Sequence, residues 1–227
     1  MLKMKNLIFI INLFIGVYVF SQEHKTIETT FFSEVKVFDA ITVNLIQSDE
    51  NKVVVYGEDK DQVVVVNNDG RLKVRMTFGK IQGGKETHVD VYYSKVLELI
   101  DANEGAFISS SGVIKQVFLN LRSQEGGEID LDVDVTKLEV KTVTGGKIEV
   151  NGNAVNQEVI ISTGGVYNAI ELQSEQAKVS ITSGGSANIT TSEYVEAKVN
   201  IGGTIKIYGR TKVIEKTTFL GGVIMEM

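Results

Sequence analysis

The sequence predicts an all-β protein, a parallel β-solenoid with about 19 residues per coil, and three observations support this prediction. Six Gly-Gly pairs recur in the second half of the chain, at steps of 19, 19, 20, 18 and 19 residues. Apolar and polar residues alternate around the pairs, and the 227 residues include no proline. A short fixed period indicates units that stack on one another, and a continuous hydrogen-bonded sheet has no place for a residue without an N–H group.

The glycine pairs are interpreted as corners between short strands. Glycine reaches positive φ and lets two backbones approach closely, because it has no Cβ atom. The pairs are Gly126-Gly127, Gly145-Gly146, Gly164-Gly165, Gly184-Gly185, Gly202-Gly203 and Gly221-Gly222. The third residue after each first glycine is apolar in five coils and Tyr in the other, which predicts an inward column of Ile129, Ile148, Tyr167, Ala187, Ile205 and Ile224.

A leucine-rich repeat has a similar period and is the main competing fold. Its L-x-x-L-x-L-x-x-N string is absent, and no repeat shows the helical spacing of apolar residues. Nineteen residues of extended chain also give a perimeter of at most about 60 Å, which leaves no room for a helix in each coil. The pattern therefore favours strands alone.

The first residues have the features of an export signal. Lys3 and Lys5 precede an apolar run from Leu7 to Phe20, and residues 1–21 are predicted to be a signal peptide that is cleaved before Gln22. A membrane anchor is the alternative, but the run of about fourteen residues is shorter than the roughly twenty that a spanning helix needs. The mature chain is therefore expected to be exported without a membrane span, into the periplasm, onto the outer cell surface or into the medium.

Residues 22–34 are expected to form an N-terminal extension, and residues 35–227 a single solenoid domain. Its regular coils are predicted to occupy residues 103–227, and residues 35–102 to be irregular opening rungs and a β cap, since the terminal repeats of a solenoid must shield its core. A separate domain of about seventy residues is the alternative for this first part. The segments with strand-like patterns in it are Ala40–Leu45, Lys52–Tyr56, Gln62–Val66, Arg71–Thr77 and Thr87–Tyr93.

Composition excludes several classes of function. The chain has no cysteine, so it has no disulfide framework and no thiolate metal site. An excess of 29 acidic over 23 basic residues argues against a nucleic-acid partner. No cofactor is expected.

The most distinctive polar pattern is an acidic row at every second residue of one predicted strand. It consists of Glu128, Asp130, Asp132 and Asp134. These carboxylates should all point outward, where they could collect a hard cation such as calcium. Side chains about 7 Å apart along one strand do not by themselves make a six-to-eight-oxygen cage, so a solvated face that discourages lateral aggregation is the favoured interpretation.

Signals for catalysis are weak. The only histidines are His24, expected in a frayed terminus, and His88, at the start of a predicted strand. No Cys is available as a partner, and no Ser lies on a strand-to-helix elbow, so no catalytic residue is predicted.

Several segments resemble a known family. They are Val37–Val43, the valine strand ending in Tyr56-Gly57, Asp69–Val74, Val89–Tyr93 and the Gly-Gly coils. On these segments the chain is similar to the exported bacterial domains known as putative auto-transporter adhesin, head GIN domain, and the resemblance covers nearly the whole mature chain. It implies an export signal, a right-handed parallel β-helix and an origin in Bacteroidetes or related bacteria, but it carries over no ligand and no binding residue.

The sequence thus predicts a non-catalytic, adhesin-like binding or structural module of the cell envelope. Its expected partners are a glycan, a cell-surface protein or further copies of the same chain in a homo-oligomer. One alternative is a polysaccharide lyase or hydrolase on the same fold, which would need paired acids in a groove around Asp130 and Asp132. Another is a self-associating envelope component that pairs through exposed strand edges or an open solenoid end.

Overall fold

The structure, a computed structural model, describes residues 24–227, so the predicted signal peptide lies outside the described residues. About 70% of this part is strand, and its helical segments are two 3₁₀ turns at Lys60–Gln62 and Ile81–Glu86. The strands are β1 (His24–Glu28), β2 (Glu34–Val37), β3 (Thr42–Gln47), β4 (Lys52–Tyr56), β5 (Val63–Asn68), β6 (Arg71–Met76), β7 (His88–Tyr93), β8 (Leu99–Ala102), β9 (Phe107–Ser110), β10 (Ile114–Gln124), β11 (Glu128–Val143), β12 (Lys147–Ser162), β13 (Val166–Ser183), β14 (Ser186–Ile201), β15 (Thr204–Tyr208), β16 (Val213–Leu220) and β17 (Val223–Glu226).

The strands form one continuous 17-stranded sheet that winds into a β-solenoid of about seven turns with about 19 residues per coil. The predicted fold class is confirmed. In the central coils β11 and β12 pair in parallel with a constant offset, as in Leu131 with Val150. The strand pattern of the first part is also close to the prediction, because β3 to β7 each fall within a few residues of a predicted segment.

Each coil presents two main faces, separated by the glycine corner. We call the strands that follow a glycine pair, such as 128–135, the post-glycine face, and those that precede a pair, such as 137–143, the pre-glycine face. The residues that point inward from both faces form one continuous apolar core. The inward column predicted from the glycine spacing is buried at Ile129, Ile148, Tyr167, Ala187 and Ile205.

The two glycines of a pair have different roles, as the corner at Gly145 and Gly146 illustrates. Gly145 has a φ of +73° and open space beside it, so its role is conformational. Gly146 lacks positive φ, but a Cβ atom there would lie 2.3 Å from the carbonyl oxygen of Ser123 in the coil below. The first glycine therefore makes the turn, and the second lets neighbouring coils approach.

The coils of the first part do not stack in chain order. Strand β2 lies between β6 and β8, and it pairs in parallel with both. Ion pairs join it to each neighbour, because Glu34 contacts Arg71 of β6 at 2.5 Å and Lys36 contacts Asp101 of β8 at 3.1 Å. Strand β3 is likewise placed between β7 and β9.

Antiparallel strands complete the N-terminal end of the solenoid. Strand β5 pairs antiparallel with β6, β4 with β7, and β1 with β4. The stretch expected to be an extension thus contributes β1 to the sheet, and His24 lies in that strand, paired with Tyr56, rather than in a frayed terminus. No local pattern in the sequence of β1 indicates that it pairs with β4.

The last coil differs from the others at its inward positions. Lys216 is in register with buried Ala197, Thr218 with buried Val199, and Glu226 with buried Ile207. Because paired residues of adjacent parallel strands point to the same side of the sheet, these three side chains face the interior. Polar side chains therefore border the apolar core at part of this coil, while Ile214 and Ile224 still pack against it.

Candidate binding surfaces

The acidic row lies on the post-glycine face, along β11. Its four side chains are exposed, while the residues between them, Ile129, Leu131 and Val133, are buried. The alternation along β11 therefore orients the row outward, as the sequence indicates.

Neighbouring coils partly neutralise this row. Lys147 lies 3.6 Å from Glu128, and Lys115 lies 3.6 Å from Asp134. In the middle, Asp130 is paired in register with Glu149 of the next coil. Partial desolvation, together with the charges of Glu149 and Asp132, raises the pKa of Asp130.

The row does not assemble into a cage for a cation. Across residues 24–227, no three or more His, Cys, Asp or Glu side chains lie in an arrangement that could hold a metal ion. A calcium site at Glu128, Asp130, Asp132 and Asp134 therefore has only the outward orientation of the row in its favour.

A second feature of the post-glycine face brings the two histidines into one column. His24 pairs with Tyr56, and Tyr56 pairs with His88, so the three residues are neighbours on the same side of the sheet. The rings of His24 and Tyr56 are 5.9 Å apart between centroids, tilted by 45°. Partial desolvation, with the charge of Asp90 and a hydrogen bond to it, raises the pKa of the Tyr56 hydroxyl. No local sequence pattern indicates this grouping, since it depends on antiparallel pairing of distant strands.

The pre-glycine face carries a ladder of charged and amide side chains. One outward column consists of Glu139, Glu158, Lys178 and Glu196 in successive coils. Ion pairs connect the ladder, including Lys137 to Glu139 at 2.5 Å and Lys178 to Glu196 at 3.3 Å. The first pair lies within one coil, and the second joins two consecutive coils, so both hold long side chains in place on this face.

Two grooves run over this ladder, and Glu158 lines both of them. The larger groove has a volume of about 240 Å³ and the other about 180 Å³. The side chains that give the larger groove its chemistry are Lys137, Asn156, Gln176, Lys178, Tyr194 and Glu196. Those of the smaller groove are Asn120, Arg122, Glu139, Lys141 and Ile160.

The chemistry of the larger groove suits a ligand rich in hydroxyl groups. Asn156 and Gln176 each offer an acceptor oxygen and two N–H donors, and the charged side chains strengthen hydrogen bonds to neutral hydroxyls. Tyr194 adds a flat apolar ring with a polar tip. Partial desolvation and a hydrogen bond with Glu215 raise the pKa of the Tyr194 hydroxyl above its usual value.

No pattern within a single repeat predicts this groove. Its residues lie in different repeats, separated by about one coil, and each is an ordinary exposed polar residue when viewed alone. An alignment of the repeats could have found them, because Asn156, Gln176 and Tyr194 occupy the same outward position in successive coils. The enzyme alternative would need a groove around Asp130 and Asp132. Neither residue lines the two grooves of the pre-glycine face.

Solved structures with the same fold come from Bacteroides and Parabacteroides species. A protein of Bacteroides fragilis described as a putative adhesin has a TM-score of 0.82 and 18% identity, covering 90% of this chain and 96% of that one. A putative adhesin of Parabacteroides merdae has a TM-score of 0.68 and 22% identity over 90% and 95% of the two chains. A protein of Parabacteroides distasonis described as a putative lipid binding protein has a TM-score of 0.70 and 17% identity over 90% and 96%. At these identities the likeness shows the fold.

A search among curated proteins finds no match. The family model described as putative auto-transporter adhesin, head GIN domain, matches residues 31–211, which include all the coils that carry the grooves. The resemblance seen in the sequence is thereby confirmed. The chain belongs to the head GIN domain family of putative auto-transporter adhesins.

Proposed function

We propose that this protein is an exported, non-catalytic binding module of the cell envelope that recognises extended glycans through its pre-glycine face. The observation that carries the proposal is the pair of adjoining grooves lined by amide, charged and aromatic side chains across consecutive coils. Membership of a family described as adhesins supports a role in binding surface molecules. Within residues 24–227, no helix has the length and apolar character to cross a membrane.

The mechanism follows from the rigidity of the solenoid. Consecutive coils are about 4.8 Å apart, so the outward columns offer polar groups at a regular spacing along the axis. The side chains are held on paired strands and by ion pairs such as Lys178 with Glu196, so little conformational entropy is lost when a ligand binds. Several weak contacts along one polymer would then add to a useful affinity.

A glycan-array screen of the processed protein, isolated after export with its N-terminus determined, tests the proposal. We expect selective binding that is lost when Asn156, Gln176 and Tyr194 are all replaced by alanine. The matched control is Asn168→Ala with Asn188→Ala on the post-glycine face, which should bind like the unmodified protein. A blank array, or binding that survives the triple replacement, would contradict the assignment of the groove.

The same screen separates the roles of the two faces. Running it with calcium and with a chelator tests the acidic row, because binding that requires calcium would assign a function to Glu128, Asp130, Asp132 and Asp134. Binding through the groove alone should be independent of calcium. If glycans fail in both conditions, a cell-surface protein becomes the proposed partner.

A further inference from the structure

The last coil is partly inverted relative to the coil before it. Three of its inward positions hold Lys216, Thr218 and Glu226, where the preceding coil has buried apolar residues, whereas inward Ile214 and Ile224 still pack against the core. Two of its outward positions change in the opposite sense. Met225 follows Lys206 and Asn188 in one outward column, and Val223 follows Thr204 and Ser186 in the next.

This inversion produces a belt of exposed apolar side chains around the corners of the last two coils. Its members and exposed fractions are Ile201 (54%), Phe219 (76%), Leu220 (59%), Val223 (48%) and Met225 (36%). We call this set the apolar belt. Phe219 and Leu220 precede the turn at Gly221, and Val223 and Met225 follow it, so the belt wraps a convex edge of the solenoid.

The charge of this end is opposite to that of the rest of the protein. Residues 198–227 have five basic and two acidic side chains, a net charge of +3. Residues 24–197 have 16 basic and 26 acidic side chains, a net charge of −10. Lys206 is in register with Met225, which places a cation directly beside the belt. An apolar patch bordered by lysines is complementary to a surface with an apolar interior and negative charge.

A second copy of the chain fits this end less well. Two copies joined end to end would bring together two ends of net charge +3 and would bury the Lys216–Glu226 ion pair of each. The belt is also convex, so it offers no pocket to a matching convex belt. A fluid interface adapts to a convex apolar edge without needing a complementary shape.

We propose that the apolar belt docks the protein onto an anionic lipid surface. Phe219 and Leu220 would enter the boundary between headgroups and acyl chains, while Lys198 and Lys206 would remain among the negative headgroups. Because the belt lies at one end of the solenoid, docking would hold the acidic body and its pre-glycine face away from the membrane. This proposal is independent of what the grooves bind.

Flotation with lipid vesicles tests the proposal directly on the processed protein. We expect binding to vesicles rich in phosphatidylglycerol, weak binding to pure phosphatidylcholine, and a loss of binding as salt is raised. Phe219→Ser with Leu220→Ser should weaken binding at least tenfold, since two large apolar side chains no longer enter the interface. Lys198→Gln and Lys206→Gln should each weaken it by roughly fivefold.

The matched control is Phe78→Ser, which removes a phenylalanine that is 94% exposed but lies far from the last coil in the chain, between β6 and β7. It should leave vesicle binding unchanged. The same flotation result for Phe78→Ser and for the belt variant, or no binding to anionic vesicles, would overturn the proposal. Sedimentation velocity tests the remaining outcome. If the unmodified protein is a dimer and the belt variant is a monomer, the belt is a self-association surface and the membrane proposal is overturned.

Discussion

Lys216 and Glu226 form a partly exposed ion pair over the end of the core, with the Nζ atom of Lys216 donating to Oε1 of Glu226. The two residues occupy positions that are apolar in the preceding coils, Ala197 and Ile207. Charges that point inward at the edge of a sheet make it costly for another sheet to stack there. The charges of this pair thus disfavour stacking of another sheet on this end of the core, whereas antiparallel strands cover the opposite end.

Removing this closure should make the protein self-associate. In Lys216→Leu with Glu226→Leu, the last coil would present an apolar interior beside the free edges of β16 and β17. We expect a concentration-dependent rise in mass by sedimentation velocity, with little loss of stability, because partly exposed ion pairs contribute only about 0–1 kcal/mol. The control is Lys212→Leu with Glu193→Leu, which removes an ion pair of 2.8 Å on the outer surface. A monomeric Lys216→Leu/Glu226→Leu variant would refute the closing role.

The two glycines of one corner should differ sharply in their tolerance of alanine. Gly145→Ala keeps open space but places a side chain at φ +73°, which should reduce the free energy of unfolding by about 1–2 kcal/mol. Gly146→Ala should reduce it by more than that, because its Cβ would meet the backbone of Ser123 at 2.3 Å. Urea unfolding of the two variants measures the difference, and equal losses would contradict the separate roles.

Tyr167 should be important for stability through its hydroxyl as well as its ring. Its hydroxyl is completely buried and donates to Oε1 of Gln157 at 3.1 Å, and Nε2 of Gln157 donates to Ser174 at 2.7 Å. Tyr167→Phe leaves the Gln157 oxygen without this donor, so we expect a loss of about 1–3 kcal/mol in the free energy of unfolding.

A double replacement provides the control for this prediction. Gln157 stands in a column with Leu138 and Ala177, so Gln157→Leu should be accommodated once the tyrosine hydroxyl is absent. The double variant should therefore lose less stability than the sum of the two single variants. Additive losses in urea unfolding would show that the hydrogen bond contributes little.

Glu104 should make the protein less stable as pH rises. Partial desolvation, a hydrogen bond with Asp39 and the charges of Asp39 and Glu125 raise the pKa of Glu104 above its usual value. A raised pKa means that the folded state holds the proton more tightly, so this contribution is present below the ordinary pKa and is lost as pH increases through the folded value.

Glu104→Gln removes that titration. We expect the variant to be more stable than the unmodified protein at pH 7 and to lose this advantage in acid, as measured by urea unfolding between pH 3 and pH 7. Curves that stay parallel over the whole range would disagree with a raised pKa at this corner. The positive φ of +53° at Glu104 is the same for both side chains and does not enter the comparison.

The glycine spacing and the alternation of apolar residues determined the repeat architecture, because both are local properties that recur in each coil. The inward column of Ile129 and Ile148 and the outward row of Asp130 and Asp132 were predictable for the same reason. Strand periodicity assigns a side to each residue without any knowledge of which strands are neighbours.

Only the tertiary structure decided how the first coils are ordered and which polar residues meet. Glu34 pairs with Arg71 and Leu99, residues 37 and 65 positions away, and no local pattern specifies such partners. The groove of Asn156, Gln176 and Tyr194 and the ion pair of Lys216 with Glu226 depend in the same way on register between coils. The sequence determines the faces of each strand, but the packing of a whole core selects the register that brings distant side chains together.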